Sequence, residues 1–178
     1  MVQERFLYLK EINLKQLLIF SLILSLNIAS NEVLNKFNSL IKKDLYFSQE
    51  IETNTTDKSF SEGSIERYGE NIEVIIEKPV REKYIIKNNE IELYDYEFNQ
   101  SQTFAINKNE MPVLDLLKEG VQLQEIQDLT DRSFKVNYNE KYIYIEILSD
   151  KSFFIAYNDN MNYKNIVTFT KSDLWISY

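Results

Sequence analysis

Residues 134–148 read FKVNYNEKYIYIEIL, two runs in which large apolar side chains recur at every second position on either side of Asn139-Glu140. A period of two is that of a β-strand with one buried face. Asn tolerates the left-handed backbone conformation that tight hairpins require. The stretch therefore predicts two antiparallel strands joined by a short turn.

The same pattern extends along most of the chain from Leu45 onward. Gly69-Glu70-Asn71 and Asn88-Asn89 are further turn sequences between alternating runs, and the polar stretch 52–59 is a loop or a flexible hairpin tip. Strands are predicted at 64–68, 72–76, 83–87, 90–96, 100–106, 134–138, 142–148, 152–157 and 165–170. Because no helix between them is long enough for a parallel crossover, the fold class is mainly β, a curved antiparallel meander.

Two short helices are predicted beside this sheet. Val33, Phe37, Leu40 and Ile41 recur at helical spacing, and residues 111–120 carry a Pro near the start and a Gly at the end. A helix this short is marginal in water unless its apolar face is packed. The helices therefore cover the apolar face of the sheet, and either they fill the core completely or they leave a cleft for a hydrophobic ligand.

Composition excludes several classes of function. The 178 residues (21.2 kDa) suit one domain, and 20 basic against 28 acidic residues give a net charge of −8, which disfavours nucleic acid as a partner. The absence of His and Cys removes disulfides, His- or Cys-based nucleophile systems and the usual zinc sites. We expect no enzyme, cofactor or metal. A carboxylate pair, Glu90 with Glu92, is the remaining catalytic alternative and is more simply a wet sheet surface.

The N-terminal 29 residues have the features of a signal peptide. Arg5, Lys10 and Lys15 precede ten uncharged, mostly apolar residues at 17–26, and the small pair Ala29-Ser30 follows. Ten such residues are too few for a membrane-spanning helix. We expect cleavage after residue 29 and a mature domain at 30–178 that is exported and not integral to a membrane. A retained N-terminal anchor and a buried core helix are the alternatives.

Several segments share their order and spacing with one known family. They are a Gly-containing strand at 61–65, a basic residue before Pro at 77–84, and a Tyr-Asp pair followed by an acidic, an apolar and a Gln position at 93–100. These segments resemble the periplasmic outer-membrane lipoprotein carrier proteins, the LolA family. Residues 37–49 and 111–117 resemble its first helix with the following strand and its Pro- and Leu-rich helix.

The resemblance implies an unclosed β-barrel with a short helical lid over an apolar cavity. A protein of this kind is a monomeric periplasmic chaperone without catalysis or cofactor. It shields the acyl chains of lipoproteins and carries them from an inner-membrane ABC transporter to an outer-membrane receptor. LolA-like domains also occur in periplasmic regulators that sense mislocalised lipoproteins, and a carrier of some other apolar molecule is a third possibility.

The resemblance also assigns residues. The family ties its lid to the barrel through an Arg directly before the Pro, a place held here by Lys78, with Arg81 nearby. Lysine lacks the planar fork of arginine, and a solvated turn cation is the plainer interpretation of Lys78. The acyl-chain cavity is predicted from inward-facing residues, for which core packing is the alternative. They are Phe37, Leu40, Val74, Ile76, Tyr84, Ile86, Ile91, Leu93, Leu114, Leu117, Phe134, Val136, Ile145, Ile147, Phe153 and Ile155.

Overall fold

The computed structural model describes residues 32–53, 57–88, 90–106, 111–138 and 141–172. The predicted signal peptide and its cleavage site, and the turn residues Asn89, Asn139 and Glu140, lie outside these ranges. Within the described ranges, no helix combines the length and the hydropathy needed to cross a membrane.

The described residues form one antiparallel sheet of eleven strands. The strands are β1 (Leu45–Glu52), β2 (Lys58–Tyr68), β3 (Asn71–Lys78), β4 (Glu82–Lys87), β5 (Glu90–Asp95), β6 (Gln100–Ala105), β7 (Ile126–Gln127), β8 (Ser133–Tyr138), β9 (Lys141–Ile147), β10 (Ser152–Asn158) and β11 (Lys164–Lys171). Their order is β6-β5-β4-β3-β2-β1-β11-β10-β9-β8-β7. The sheet ends on two different strands and does not close, which confirms the predicted fold class.

The first and last strands meet in the middle of the sheet. β1 pairs with β11 over its whole length, from Leu45 opposite Lys171 to Glu52 opposite Lys164. On one side of this pair lie β2 to β6, which we call the first wing, and on the other lie β7 to β10, the second wing. Each wing is a meander of neighbouring hairpins, because each strand pairs with the next in sequence.

Two helices lie on the inner face of the sheet. The described part of α1 covers residues 32–40, and α2 covers Pro112–Glu119, with a short 3-10 helix at Leu123–Glu125. Phe37 of α1 makes edge contacts with Phe134 and Phe153 of the second wing, at ring-centroid distances of 5.5 and 5.2 Å. α2 ends at Gly120, whose φ of 75° is in the left-handed region that favours glycine. Both predicted helices are therefore present.

Strand β2 begins earlier than the sequence pattern suggests. The predicted loop at 52–59 is shorter, since β2 starts at Lys58, and the inward positions Ser59, Ser61 and Gly63 lack the apolar side chains that mark a strand. Gly63 lies at an irregularity of the β2–β3 register, where a Cβ would come within 1.9 Å of the Ile75 carbonyl oxygen. A small residue is thus required where the backbones approach most closely. The two-residue strand β7 is too short for a period to be visible.

Candidate functional site

A cavity of about 500 Å³ lies between the first wing, the centre of the sheet and α2, and it is also lined by Tyr138, Tyr142 and Tyr157 of the second wing. Its walls are mainly apolar. Aliphatic side chains come from the first wing (Ile65, Val74, Ile76, Ile86, Ile91), from α2 (Val113, Leu114, Leu117) and from β9 and β11 (Ile143, Val167), and the rings of Phe47 and Phe169 close the central part. We call α2 the lid.

Seven of the predicted cavity residues line this space. They are Val74, Ile76, Tyr84, Ile86, Ile91, Leu114 and Leu117. They come from three neighbouring strands of the first wing and from the lid. The period of two and the helical period together place them on facing surfaces.

The other nine predicted residues lie away from the cavity. Eight of them are buried in the packed core beneath α1 and the second wing: Phe37, Leu40, Phe134, Val136, Ile145, Ile147, Phe153 and Ile155. Leu93, on β5, is half-buried and does not line the cavity. The physical reason is the aromatic packing around Phe37, which fills the space under the second wing. The filled-core alternative thus describes the part of the molecule under α1. The cleft describes the part under the lid, which also reaches residues of β8, β9 and β10.

Lys78 and Arg81 do not reach the helices. Lys78, with a side chain 72% exposed, pairs with Glu62 at the end of β3. Arg81 lies 3.6 Å from Glu77 and stacks over the ring of Tyr96 at 4.7 Å. The predicted tie between this corner and the lid is not formed by the described residues, because Lys78 and Arg81 contact side chains of the first wing instead.

Arg67 makes the tie instead. Its Nη2 donates to the carbonyl oxygen of Leu117 in the lid at 2.7 Å, and also to the carbonyl oxygen of Ile41 just after α1. Burial lowers the pKa of the Arg67 guanidinium, an effect that the charge of Asp44 opposes. The Arg67 Nε is buried and has no hydrogen-bond partner among the described residues. One side chain of the first wing therefore holds both helices through their backbone.

The inward orientation of Arg67 can be predicted from the sequence. It follows Ile65 by two positions on β2, and Ile65 is buried on the inner face. A period of two places Arg67 on the same inner face, opposite Ile72 of β3. A cation at an inward position has to find acceptors there, and free carbonyl groups at the ends of short helices are the natural ones.

Three further contacts hold the lid. Tyr138 of β8 donates its hydroxyl hydrogen to the Asp115 carboxylate of the lid, and Lys118 Nζ donates to the Asn88 carbonyl oxygen at 2.7 Å. The Asn38 side chain of α1 bonds both backbone groups of Val121, at 2.8 and 3.0 Å. The lid is therefore bound to each wing and to α1 by polar contacts around an apolar underside.

The polar groups inside the cavity are paired or neutral. Gln49 donates to the buried Asn165 side chain at 2.9 Å and accepts from Ser61 at 3.2 Å. Burial and the hydrogen bond to Glu82 raise the pKa of Tyr84, while burial and the nearby Asp159 raise the pKa of Tyr157 to about 12. Both phenols are thus neutral at physiological pH. The inner wall presents mainly amide, hydroxyl and hydrocarbon groups to a ligand, and the charged residues that line the cavity are Lys141, at the start of β9, and Asp159, just after β10.

The carboxylate pair considered as a catalytic alternative lies elsewhere. Glu90 and Glu92 are on the face of β5 opposite to the cavity-lining Ile91, and Glu92 lies 3.6 Å from Lys87. Neither carboxylate lines the cavity. Among the described residues, no group of three or more acidic side chains is arranged to hold a metal ion.

The chain has distant structural likenesses. No family model and no curated protein matches the sequence. A crystal structure of a LolA superfamily protein from Nitrosomonas europaea is similar with 8% identity and a TM-score of 0.49, over 82% of this chain and 94% of that one. A DUF1329 family protein from Desulfovibrio piger is similar with 10% identity and a TM-score of 0.39, over 85% and 94%.

Proposed function

We propose that the protein binds and shields an acyl chain in the cavity under the lid, as a carrier in the periplasm. The observation that carries this proposal is an apolar cavity of about 500 Å³ whose cover is a short helix held by polar contacts. Pockets of this size and lining are typical of sites for small hydrophobic ligands.

Transfer of an acyl chain from water into such a cavity supplies a large driving force. Burial of each methylene contributes about 0.8 kcal/mol, so a palmitoyl chain gains on the order of 10 kcal/mol before ordering costs. A hydrogen bond contributes about 0.5 to 1.5 kcal/mol, and one to a charged group about 1.5 to 3. The contacts that hold the lid are therefore of the same order as the gain from one chain, so binding of the chain can be coupled to opening of the lid.

The specific cargo that we propose is the acyl portion of lipoproteins. The segments at 61–65, 77–84 and 93–100 resemble those of the lipoprotein carriers. This resemblance supports a role in carrying lipoproteins from an inner-membrane ABC transporter to an outer-membrane receptor. The predicted signal peptide supports a periplasmic location. A sensing module with the same cavity would bind the same chains without handing them on, and is distinguished by a stable partner protein.

A displacement assay tests the proposal. The purified protein is titrated with a solvatochromic apolar dye, and diacylated and triacylated peptides are added as competitors. We expect dye binding and its loss on addition of either acylated peptide but not of the unacylated peptide. Absence of binding by both dye and acylated peptides would contradict the proposal.

Two adjacent isoleucines of β3 supply a matched control. Ile76 lines the cavity, and Ile75 points to the other face of the sheet, where it lies opposite Ser64 and Lys83. Ile76→Glu introduces a carboxylate into an apolar site and should weaken binding at least tenfold. Ile75→Glu makes the same chemical change on the wet face and should leave the affinity unchanged.

A further inference from the structure

The exposed rim of the cavity has its own chemistry. Met111, Tyr142 and Met161 line the cavity and are exposed, and we call these three the mouth. Met111 precedes the lid and Met161 lies in the turn between β10 and β11. The only methionine apart from these two is Met1. Methionine adapts its shape to varied apolar surfaces, so the mouth suits the part of a ligand that protrudes.

Lys141 is the basic residue beside this mouth. It begins β9, lines the cavity next to Tyr142, and is partly buried. Its Nζ donates to the Asp159 carbonyl oxygen at 2.5 Å and to the Asn160 side-chain oxygen at 3.4 Å. Two neutral oxygens leave one of the three ammonium hydrogens for another acceptor.

Within the described residues, no carboxylate lies within ion-pair distance of Lys141. Asp159, whose carbonyl oxygen accepts from Lys141, also has a carboxylate. This carboxylate accepts hydrogen bonds from the backbone N–H groups of Met161 and Tyr163, at 2.8 and 2.9 Å. The carboxylate of Asp115, on the lid, accepts from Tyr138. Among the described residues the partners of the Lys141 ammonium are two neutral oxygens, which leave its positive charge uncompensated, and such a partly buried charge attracts an anion.

The volume of the cavity limits the number of chains. A water-sized group occupies about 30 Å³, and a methylene is of similar size, so the cavity of about 500 Å³ takes roughly 16 such groups. That is enough for one long acyl chain.

We infer that the cavity encloses one acyl chain of its ligand under the lid, and that a negatively charged head attached to this chain lies on Lys141 at the mouth. The inference rests on the proposed binding of acyl chains and does not depend on which protein delivers or receives them. The anionic head is a carboxylate or a phosphate, two sources of the same chemistry.

Four competitors of the dye test this inference: palmitate, hexadecyl phosphate, hexadecanol and dihexadecyl phosphate, each below its aggregation concentration. We expect the two single-chain anions to bind about tenfold more tightly than neutral hexadecanol. The two-chain anion should bind no more tightly than hexadecyl phosphate, because the cavity encloses one of its chains. A preference between palmitate and hexadecyl phosphate identifies the head group.

The matched variants are Lys141→Gln and Lys151→Gln. Lys151 is exposed in the turn at the other end of β9, roughly 20 Å away along the strand, and its replacement changes the net charge equally. Lys141→Gln should remove the preference for anions and leave hexadecanol binding unchanged, whereas Lys151→Gln should alter neither.

The outcomes separate this inference from the proposed function. Equal binding of palmitate and hexadecanol, unchanged in Lys141→Gln, would overturn the anionic head and leave acyl-chain binding intact. Tighter binding of the two-chain anion than of hexadecyl phosphate would overturn the enclosure of one chain. If none of the four competitors nor the dye binds, the proposed function fails and the inference fails with it.

Discussion

The two wings of the sheet share one sequence pattern and bury their inner faces differently. In the second wing, Phe134, Ile145, Phe153 and Ile155 are 0% exposed beneath α1. In the first wing, Val74, Ile76 and Tyr84 are half-buried around a cavity beneath the lid. The difference comes from the cover, because Phe37 of α1 fills its side with an aromatic ring and the lid contributes aliphatic residues only. Function is thus expected where the packing is incomplete.

The largest expected effect is a loss of stability when a buried side chain is removed under α1 but not when one is removed at the cavity wall. Phe37→Ala empties a fully buried site between two other rings and should lower the free energy of unfolding by about 3 to 5 kcal/mol. Ile76→Ala, at the wall of an existing cavity, should cost roughly 1 kcal/mol or less, since little new void is formed. Urea denaturation followed by circular dichroism measures both. Similar losses for the two variants would mean that the wings are packed alike.

The next largest effect is expected at Arg67, which links the first wing to both helices. Arg67→Ala removes the hydrogen bonds to Leu117 and Ile41 and should cost about 1 to 3 kcal/mol, and it should speed dye association because the lid opens more often. Arg81→Ala, on an exposed arginine that contacts neither helix, is the control and should change neither quantity. Stopped-flow fluorescence with the dye gives the rate. Equal association rates in Arg67→Ala and the wild type would contradict a gating role for this residue.

A pH effect of intermediate size should come from the two cavity tyrosines. Well below pH 10 both are protonated in the folded and the unfolded state, so their titration does not change the free energy of unfolding there. Between pH 10 and about 12, an unfolded chain loses these protons while the raised pKa values of Tyr84 and Tyr157 keep them in the folded one. The free energy of unfolding should therefore fall over this range.

Tyr157→Phe removes one of these ionisable groups and serves as the test. Denaturation at pH 9 and at pH 11.5 should show a smaller decline for Tyr157→Phe than for the wild type. An equal decline in both proteins would show that Tyr157 loses its proton as readily in the folded state as in the unfolded one.

The smallest effect is expected at Lys78, the residue that the family resemblance predicted to hold the lid. Lys78→Met removes an exposed ion pair with Glu62 and should change neither stability nor dye association measurably. The same two assays apply. A faster association in Lys78→Met would return the locking role to this residue.

The strand pattern was predictable because it is local. The alternation around Asn139-Glu140 and the turn at Gly69 fix the hairpins, and each hairpin follows from neighbouring residues alone. The pairing of β1 with β11 joins residues more than a hundred positions apart and leaves no local mark. The sequence therefore predicted the meander but not which strands lie in its centre.

The site was only partly predictable, because alternation reports which face is inward and not what covers it. Ile76 and Ile155 occupy equivalent inward positions in the pattern, yet one lines the cavity and the other is core. Volume under a sheet depends on which helix lies there, and that depends on contacts between distant segments. The role of Arg67 is hard to predict for a related reason: no motif marks it, whereas the basic residue before Pro79 matches a known arrangement, and only the inward parity of Arg67 indicates its position.

The wings can be compared directly by photolabelling. A palmitate analogue with a diazirine in the middle of its chain is bound to the protein and irradiated, and the labelled peptides are identified by mass spectrometry. We expect labels on Asn71–Lys78 of the first wing and on Pro112–Glu119 of the lid, with displacement by unlabelled palmitate. Labels on the core residues Phe153 and Ile155 but not on the first wing, or labels that excess palmitate does not remove, would contradict an acyl-chain site under the lid.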